Sequence, residues 1–203
     1  MKLYLSPGAC SLSPHIVLLE AGLAFTTERV NLGSKLTASG SDYSAINPKG
    51  SVPALQLDDG QILTEGPAIV QYLADLVPAK QLAPAAGSME RYRLMEALNF
   101  ISTELHKNFG VLFNPKMPQE AKTVARALLA KRIGLVATQL ETTDFLCGQQ
   151  FSVADAYLFT VLGWGAHVDL DLGPWPAIGA YLGRIAARPA VHSALLAEGL
   201  IKE

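Results

Sequence analysis

Up to about Val77, short apolar runs alternate with turn signals; beyond it, apolar residues recur every three or four positions. Lys2-Leu3-Tyr4-Leu5 predicts a strand broken by Ser6-Pro7-Gly8. Residues 11–22 predict a helix with Ile16, Leu19 and Leu23 on one stripe. Pro14 is tolerable in its first turn, where the N–H groups lack helical partners. Phe25 to Leu32 predicts a second strand, and 33–42 a polar loop leading to a short helix near Tyr43. Ala54-Leu55-Gln56-Leu57 and Gln61-Ile62-Leu63 flank Asp58-Asp59-Gly60, a hairpin signal because Asp-Gly tolerates positive φ. Pro67 to Leu76 predicts a helix with Ile69, Tyr72, Leu73 and Leu76 inward, Pro67 at its first position and Gly66 as its N-cap. The order β-α-β-α-β-β-α is that of a small α/β domain, placed at 1–77.

Pro78, Pro84 and Ala-Pro-Ala-Ala-Gly mark 78–87 as a linker. Residues 88–203 then read as all-helical. Ser88 caps a long helix reaching about Phe113, with the stripe Met89, Tyr92, Met95, Leu98, Ile101, Leu105, Phe109 and Leu112. Residues 119–141 repeat the period through Ala125, Leu129, Ile133, Val136 and Leu140. Phe151-Ser152-Val153-Ala154-Asp155 is a helix start: Ser152 caps, Asp155 returns the bond, and Phe151 staples onto Ala156. Shorter helices follow around 176–187 and 190–198.

Composition narrows the functions open to such a chain. Half of its 203 residues are apolar, enough for a sizeable core, and the formal net charge of −2 without basic blocks argues against nucleic acid as a partner. Cys10 and Cys147 are too few for a secreted disulfide framework. The N-terminus has no long apolar region of a leader, and no apolar run approaches the roughly 18 residues of a membrane span. A soluble cytoplasmic protein with no membrane partner is expected. His-x₃-His and Cys-x₂-Cys spacings are missing, so no metal site is expected.

The chemistry concentrates between Asn47 and Gly66. Pro53 opens a strand it cannot serve as a donor, which makes sense if Val52-Pro53 is cis at a tight bend. The N–H and C=O of Val52 would then face outward, unpaired, ready to accept an extended peptide as an added strand. Free N–H groups at Gly66 would attract a carboxylate, and Glu65 beside them could hold an ammonium. Cys10 lies between a strand end and a helix start, where free N–H groups favour a thiolate and are expected to lower its pKa. Asn99, Thr103 and His106 form a polar stripe at i, i+4, i+7. Tyr4 reads as a strand-core residue and Cys147 as a small buried hydrophobe.

Ser51-Val52-Pro53-Ala54-Leu55, followed by Leu63-Thr64-Glu65-Gly66-Pro67-Ala68-Ile69, resembles the glutathione-binding half of a glutathione transferase. Phe151 to Tyr157 resembles the helix-start motif of that family's second domain. Pro7-Gly8-Ala9-Cys10-Ser11 with Glu104-Leu105-His106-Lys107 is similar to the bacterial beta class. The resemblance implies a thioredoxin-like N-terminal domain, a helical C-terminal domain and a homodimer. It also implies conjugation of glutathione, as co-substrate, to hydrophobic electrophiles in detoxification. By resemblance, Cys10 and His106 are catalytic. Cys10, Lys35, Val52, Pro53, Glu65, Gly66, Asn99, Thr103, Glu104, His106 and Lys107 bind glutathione. Lys35 holds its glycine carboxylate; Asn99, Thr103 and Glu104 come across the dimer interface, whereas His106 and Lys107 approach Cys10 within one subunit. Many family members carry Ser or Thr where this chain has Gly66, so here only the backbone N–H remains. Phe109, Phe113, Trp164 and His167 are candidates for the second-substrate pocket. Two other functions stay open: thiol–disulfide exchange or reductive dehalogenation through Cys10, and non-catalytic carriage of apolar ligands.

Overall fold

Leu3 and Leu5 leave one face of the first strand and Tyr4 the other, and all three are buried. A strand covered on both faces needs material on each side, and the rest of its unit supplies it. The computed structural model describes residues 1–202 and divides into two units, 1–82 with 187–202, and 83–186.

The first unit holds β1 (Lys2–Leu5), α1 (Leu12–Ala21), β2 (Thr26–Asn31), β3 (Leu36–Thr37), α2 (Tyr43–Ile46), β4 (Ala54–Gln56), β5 (Ile62–Thr64) and α3 (Gly66–Asp75). The sheet order is β3-β2-β1-β4-β5. β1 and β2 run parallel with Leu3 opposite Thr27; β4 and β5 form the antiparallel hairpin with Leu55 opposite Leu63. This is the thioredoxin-like arrangement. Tyr4, Val30, Tyr43, Val52 and Ala54 make one buried cluster, in which the Tyr4 and Tyr43 rings lie 5.7 Å apart. The Tyr4 hydroxyl donates to Gln56, which fits a strand-core residue.

Helix α3 starts one residue earlier than the pattern predicts. Gly66 is its first residue, Glu65 its N-cap, and Pro67 its second. Its buried face is Ile69, Val70, Leu73 and Ala74; Tyr72 is half-buried and Leu76 exposed. Helix α1 is buried almost all round, because α3 and a distant C-terminal helix both pack on it.

That C-terminal helix, α9 (Pro189–Glu198), lies past the linker in sequence but packs on the first unit. Sequence order placed 187–203 with the helical half, yet 187–202 packs with the first unit. Two polar contacts explain this. Arg188 makes a bidentate pair with Glu20, at 2.6 and 2.9 Å. Glu198, buried, accepts from the Gly8 N–H and pairs with His15 Nδ1, each at 2.8 Å.

The second unit contains α4 (Met89–Phe100), α5 (Lys107–Phe113), α6 (Gln119–Leu140), α7 (Val153–Gly163) and α8 (Pro176–Ala186). The five apolar positions predicted for α6 are all buried. The long helix differs in two ways. Residues 101–106 form a π-helical turn between α4 and α5, a widening often found at functional sites. At its start, Arg91 and Leu94 are buried while Met89, Tyr92 and Met95 are exposed. Methionine and tyrosine suggested the wrong face, because Arg91 turns inward and its guanidinium donates to Pro84 O. At α7, the Ser152 N–H donates to the Asp155 carboxylate at 2.8 Å, as the start motif predicts. Phe151 stacks edge-on against Phe145 at 6.1 Å. Cys147 is exposed; its neighbour Leu146 takes the buried place. No helix among the described residues is long and apolar enough to cross a membrane.

Candidate functional site

In the first unit, the chain leaves β1 through Ser6-Pro7-Gly8, and Gly8 adopts φ 71 before Cys10. Buried Ser11 fastens this loop by bonding both Ser6 N–H and Ser6 O. Cys10 is left just outside the start of α1, half-buried, with its thiol donating to the Val52 carbonyl at 3.1 Å. The expectation of an unpaired Val52 carbonyl is therefore corrected. The Val52 N–H keeps no partner among the described residues. The Val52-Pro53 bond is cis, as expected.

The expected thiolate is also corrected. Burial pushes the Cys10 thiol up to about 11, and the Glu65 charge adds to the rise. The Cys10 and Ser11 amides act in the opposite direction, as the helix-start argument predicts, but desolvation outweighs them. Near neutral pH Cys10 is a neutral hydrogen-bond donor.

One loop organises the charged groups. The Asn47 side-chain amide and the Tyr43 hydroxyl both donate to Ser51 O, at 2.7 and 2.9 Å. This fixes the segment leading into Val52. Gly50, with φ 64, offers its carbonyl to Lys35 Nζ at 2.7 Å. Lys49 Nζ sits 2.5 Å from the Glu65 carboxylate and 3.0 Å from Thr64 Oγ1. Sequence reasoning gave Lys49 no role, since nothing local reveals that the hairpin folds Glu65 beneath it. Glu65 itself has φ 71, a conformation costing a non-glycine residue on the order of 1–3 kcal/mol. The turn directs the Gly66 N–H out of the helix bonding pattern, while Ala68 and Ile69 bond back to Glu65 O.

In the second unit, the π-turn positions His106. Its Nδ1 lies 2.6 Å from the Tyr157 hydroxyl on α7, and its ring meets Trp164 edge-on at 4.7 Å. Phe109 and Phe113 each meet the same indole, with centroids 5.8 Å away. Three of the four predicted pocket residues thus gather around Trp164; exposed His167 makes no such ring contact. Phe109 is fully buried, whereas Phe113 is exposed. Asn99 and Thr103 are exposed on the opposite side of the period, and Thr103 Oγ1 donates to Asn99 O. Glu104 is held by Arg132 of α6 at 2.6 Å, and Lys107 is exposed. Tyr157 is the group that the sequence reading missed. The available signal was a tyrosine within a mostly apolar helix, whose hydroxyl needs a partner when buried.

Two family models match: glutathione S-transferase, N-terminal domain, over residues 8–76, and glutathione S-transferase, C-terminal domain, over 100–189. Glutathione S-transferase GstA of Escherichia coli O157:H7 is 52% identical over 98% of this chain and all of its own length. A ternary complex of the bacterial transferase BphK is 63% identical, covers 98% of this chain and all of its own, and superposes with a TM-score of 0.97. A beta-class transferase from Sphingomonas chungbukensis is 49% identical over 99% of this chain and all of its own, with a TM-score of 0.96. The chain belongs to the glutathione S-transferase family and, within it, to the bacterial beta class.

Proposed function

We propose that this protein conjugates reduced glutathione to hydrophobic electrophiles, as a cytoplasmic homodimer acting in detoxification. The observation that carries the reading is the pairing of Cys10 with Val52. The thiol occupies the Val52 carbonyl while the Val52 N–H stays available. A cysteinyl unit paired there would lie beside Cys10. Around it, Lys35 suits the glycine carboxylate, Glu65 the γ-glutamyl ammonium, and the Gly66 N–H the γ-glutamyl carboxylate.

In conjugation the nucleophile is the sulfur of glutathione. That thiolate attacks an electrophilic carbon, the carbon–leaving-group bond breaks, and the thioether remains. Cys10 then serves as a donor to that sulfur. The aromatic group around Trp164 is the proposed seat of the electrophile. Asn99, Thr103, Glu104, His106 and Lys107 retain the glutathione contacts that the family resemblance gives them. Asn99 and Thr103, exposed, would act from the partner subunit.

Calorimetric titration with glutathione and turnover of a chlorinated aromatic test the reading together. Saturable binding with thioether formation is expected. Binding without turnover of any electrophile in a panel would instead mark a carrier.

A further inference from the structure

His106 can work in two opposite ways. A neutral imidazole has one donor nitrogen and one acceptor nitrogen, and the bond at one fixes the other. From the Tyr157–His106 contact we infer that Tyr157 is a positioning residue that holds His106 as the tautomer with hydrogen on Nε2. The chemical meaning rests on the transferase reading above; the tautomer itself does not.

The Tyr157 hydroxyl and Nδ1 lie 2.6 Å apart. N–H donors to oxygen run at about 2.7–3.2 Å, and hydroxyl donors run shorter. The contact fits the hydroxyl as donor. The phenol is also the better acid of the neutral pair's two donors, and imidazole nitrogen the better acceptor. Tyr157 is buried, so its hydroxyl gains most from a strong acceptor.

The ring cannot easily turn to present its other nitrogen. Trp164 meets it edge-on at 4.7 Å with 71° between the planes, and Tyr157 itself lies edge-on at 5.9 Å. Tyr157 projects from the capped helix α7, and His106 from the π-turn. Both partners therefore come from backbone that is itself fixed.

With Nδ1 accepting, the hydrogen is on Nε2. Whatever faces Nε2 is met by a donor. His106 then acts toward a substrate or leaving group by giving a hydrogen bond, not by removing a proton. This suits an anion such as a thiolate and excludes Nε2 as the base that ionises glutathione.

Ring ¹⁵N chemical shifts of His106 in the whole protein, at a pH where the ring is neutral, read the tautomer directly. A protonated Nε2 with an accepting Nδ1 is expected, and Tyr157→Phe should move the signals toward a tautomer mixture. Hydrogen on Nδ1 in the unaltered protein would overturn the inference. A second arm compares His106→Gln with His106→Ala. Glutamine keeps an N–H donor but cannot act as a base. Glutamine should retain turnover about ten- to a hundredfold above alanine. Equal loss in both variants, with glutathione still bound, would overturn the donor role. If the unaltered protein conjugates nothing, the transferase reading fails, while the nitrogen shifts still decide the tautomer.

Discussion

The Cys10 sulfur and the Val52 carbonyl oxygen lie 3.1 Å apart, with the thiol donating its hydrogen to the carbonyl. This bond exists only while the sulfur is protonated. Together with burial it makes Cys10 a poor nucleophile in the absence of a ligand. With the thiol pushed up to about 11, roughly one sulfur in ten thousand is ionised at pH 7. Alkylation by iodoacetamide should therefore accelerate about tenfold per pH unit from 7 to 10. Cys147 is exposed, so the measurement belongs in a Cys147→Ser background. A rate that levels off below pH 9 would show that Cys10 ionises normally.

The same bond separates two activities. Conjugation uses the sulfur of glutathione, with Cys10 as one donor among several. Cys10→Ala should lower conjugation by about ten- to a hundredfold, the loss of one hydrogen bond to a charged group. Exchange through a Cys10–glutathione mixed disulfide needs the Cys10 sulfur itself and should vanish. Rates of both reactions in the variant decide the matter. If conjugation disappears while glutathione still binds, the division is wrong.

Lys49 and Glu65 make a third case. Their side chains are 56% and 66% exposed, so the pair itself contributes only about 0–1 kcal/mol to folding. Glu65→Gln should barely alter the melting temperature but weaken glutathione, whose ammonium loses its partner, by about tenfold or more. Lys49→Met should have the opposite effect on affinity, because it removes a cation competing for the same carboxylate; a gain of up to about fivefold is expected. Both follow from titration calorimetry beside a melting curve. Weaker glutathione binding in Lys49→Met would show that Lys49 holds the ligand itself.

What the sequence made legible was whatever is set locally. The hairpin at Asp58-Asp59-Gly60, the α6 stripe and the Ser152–Asp155 bond each depend on residues close in the chain, and all three appear in the structure. Misread features depend on distant groups. The Cys10 thiol lies beside a helix start, yet burial decides its acidity, and burial is a tertiary property. Met89, Tyr92 and Met95 looked like a core stripe from their apolar character and spacing; in the structure Arg91 turns inward instead, with Pro84 O as an acceptor. The roles of Lys49 and Tyr157 appear only when a hairpin or a second helix brings their partners near.

The packing of α9 on the first unit depends on distant groups in the same way. Glu198 ends α9 with both carboxylate oxygens engaged: Oε2 accepts from Gly8 N–H and Oε1 meets His15 Nδ1. Gly8 belongs to the loop that presents Cys10, and His15 lies one turn into α1. Glu198→Ala would leave the Gly8 N–H and the His15 ring without these partners. Losing the acceptor of the buried His15 ring costs about 1–3 kcal/mol and losing the half-buried Gly8 contact about 1 kcal/mol, so a destabilisation of about 2–4 kcal/mol is expected. At this chain length each kcal/mol moves the melting temperature by about 2–4 °C, so a fall of about 4–16 °C is expected. Glu198→Gln keeps an acceptor for one of the two groups and should lose about half as much. Hydrogen exchange locates the effect: amides of residues 7–21 should lose protection in the alanine variant, while those of α6 keep theirs. If exchange rises across α6 to the same degree, or the melting temperature is unmoved, Glu198 does not clasp the Cys10 loop to the C-terminal helix.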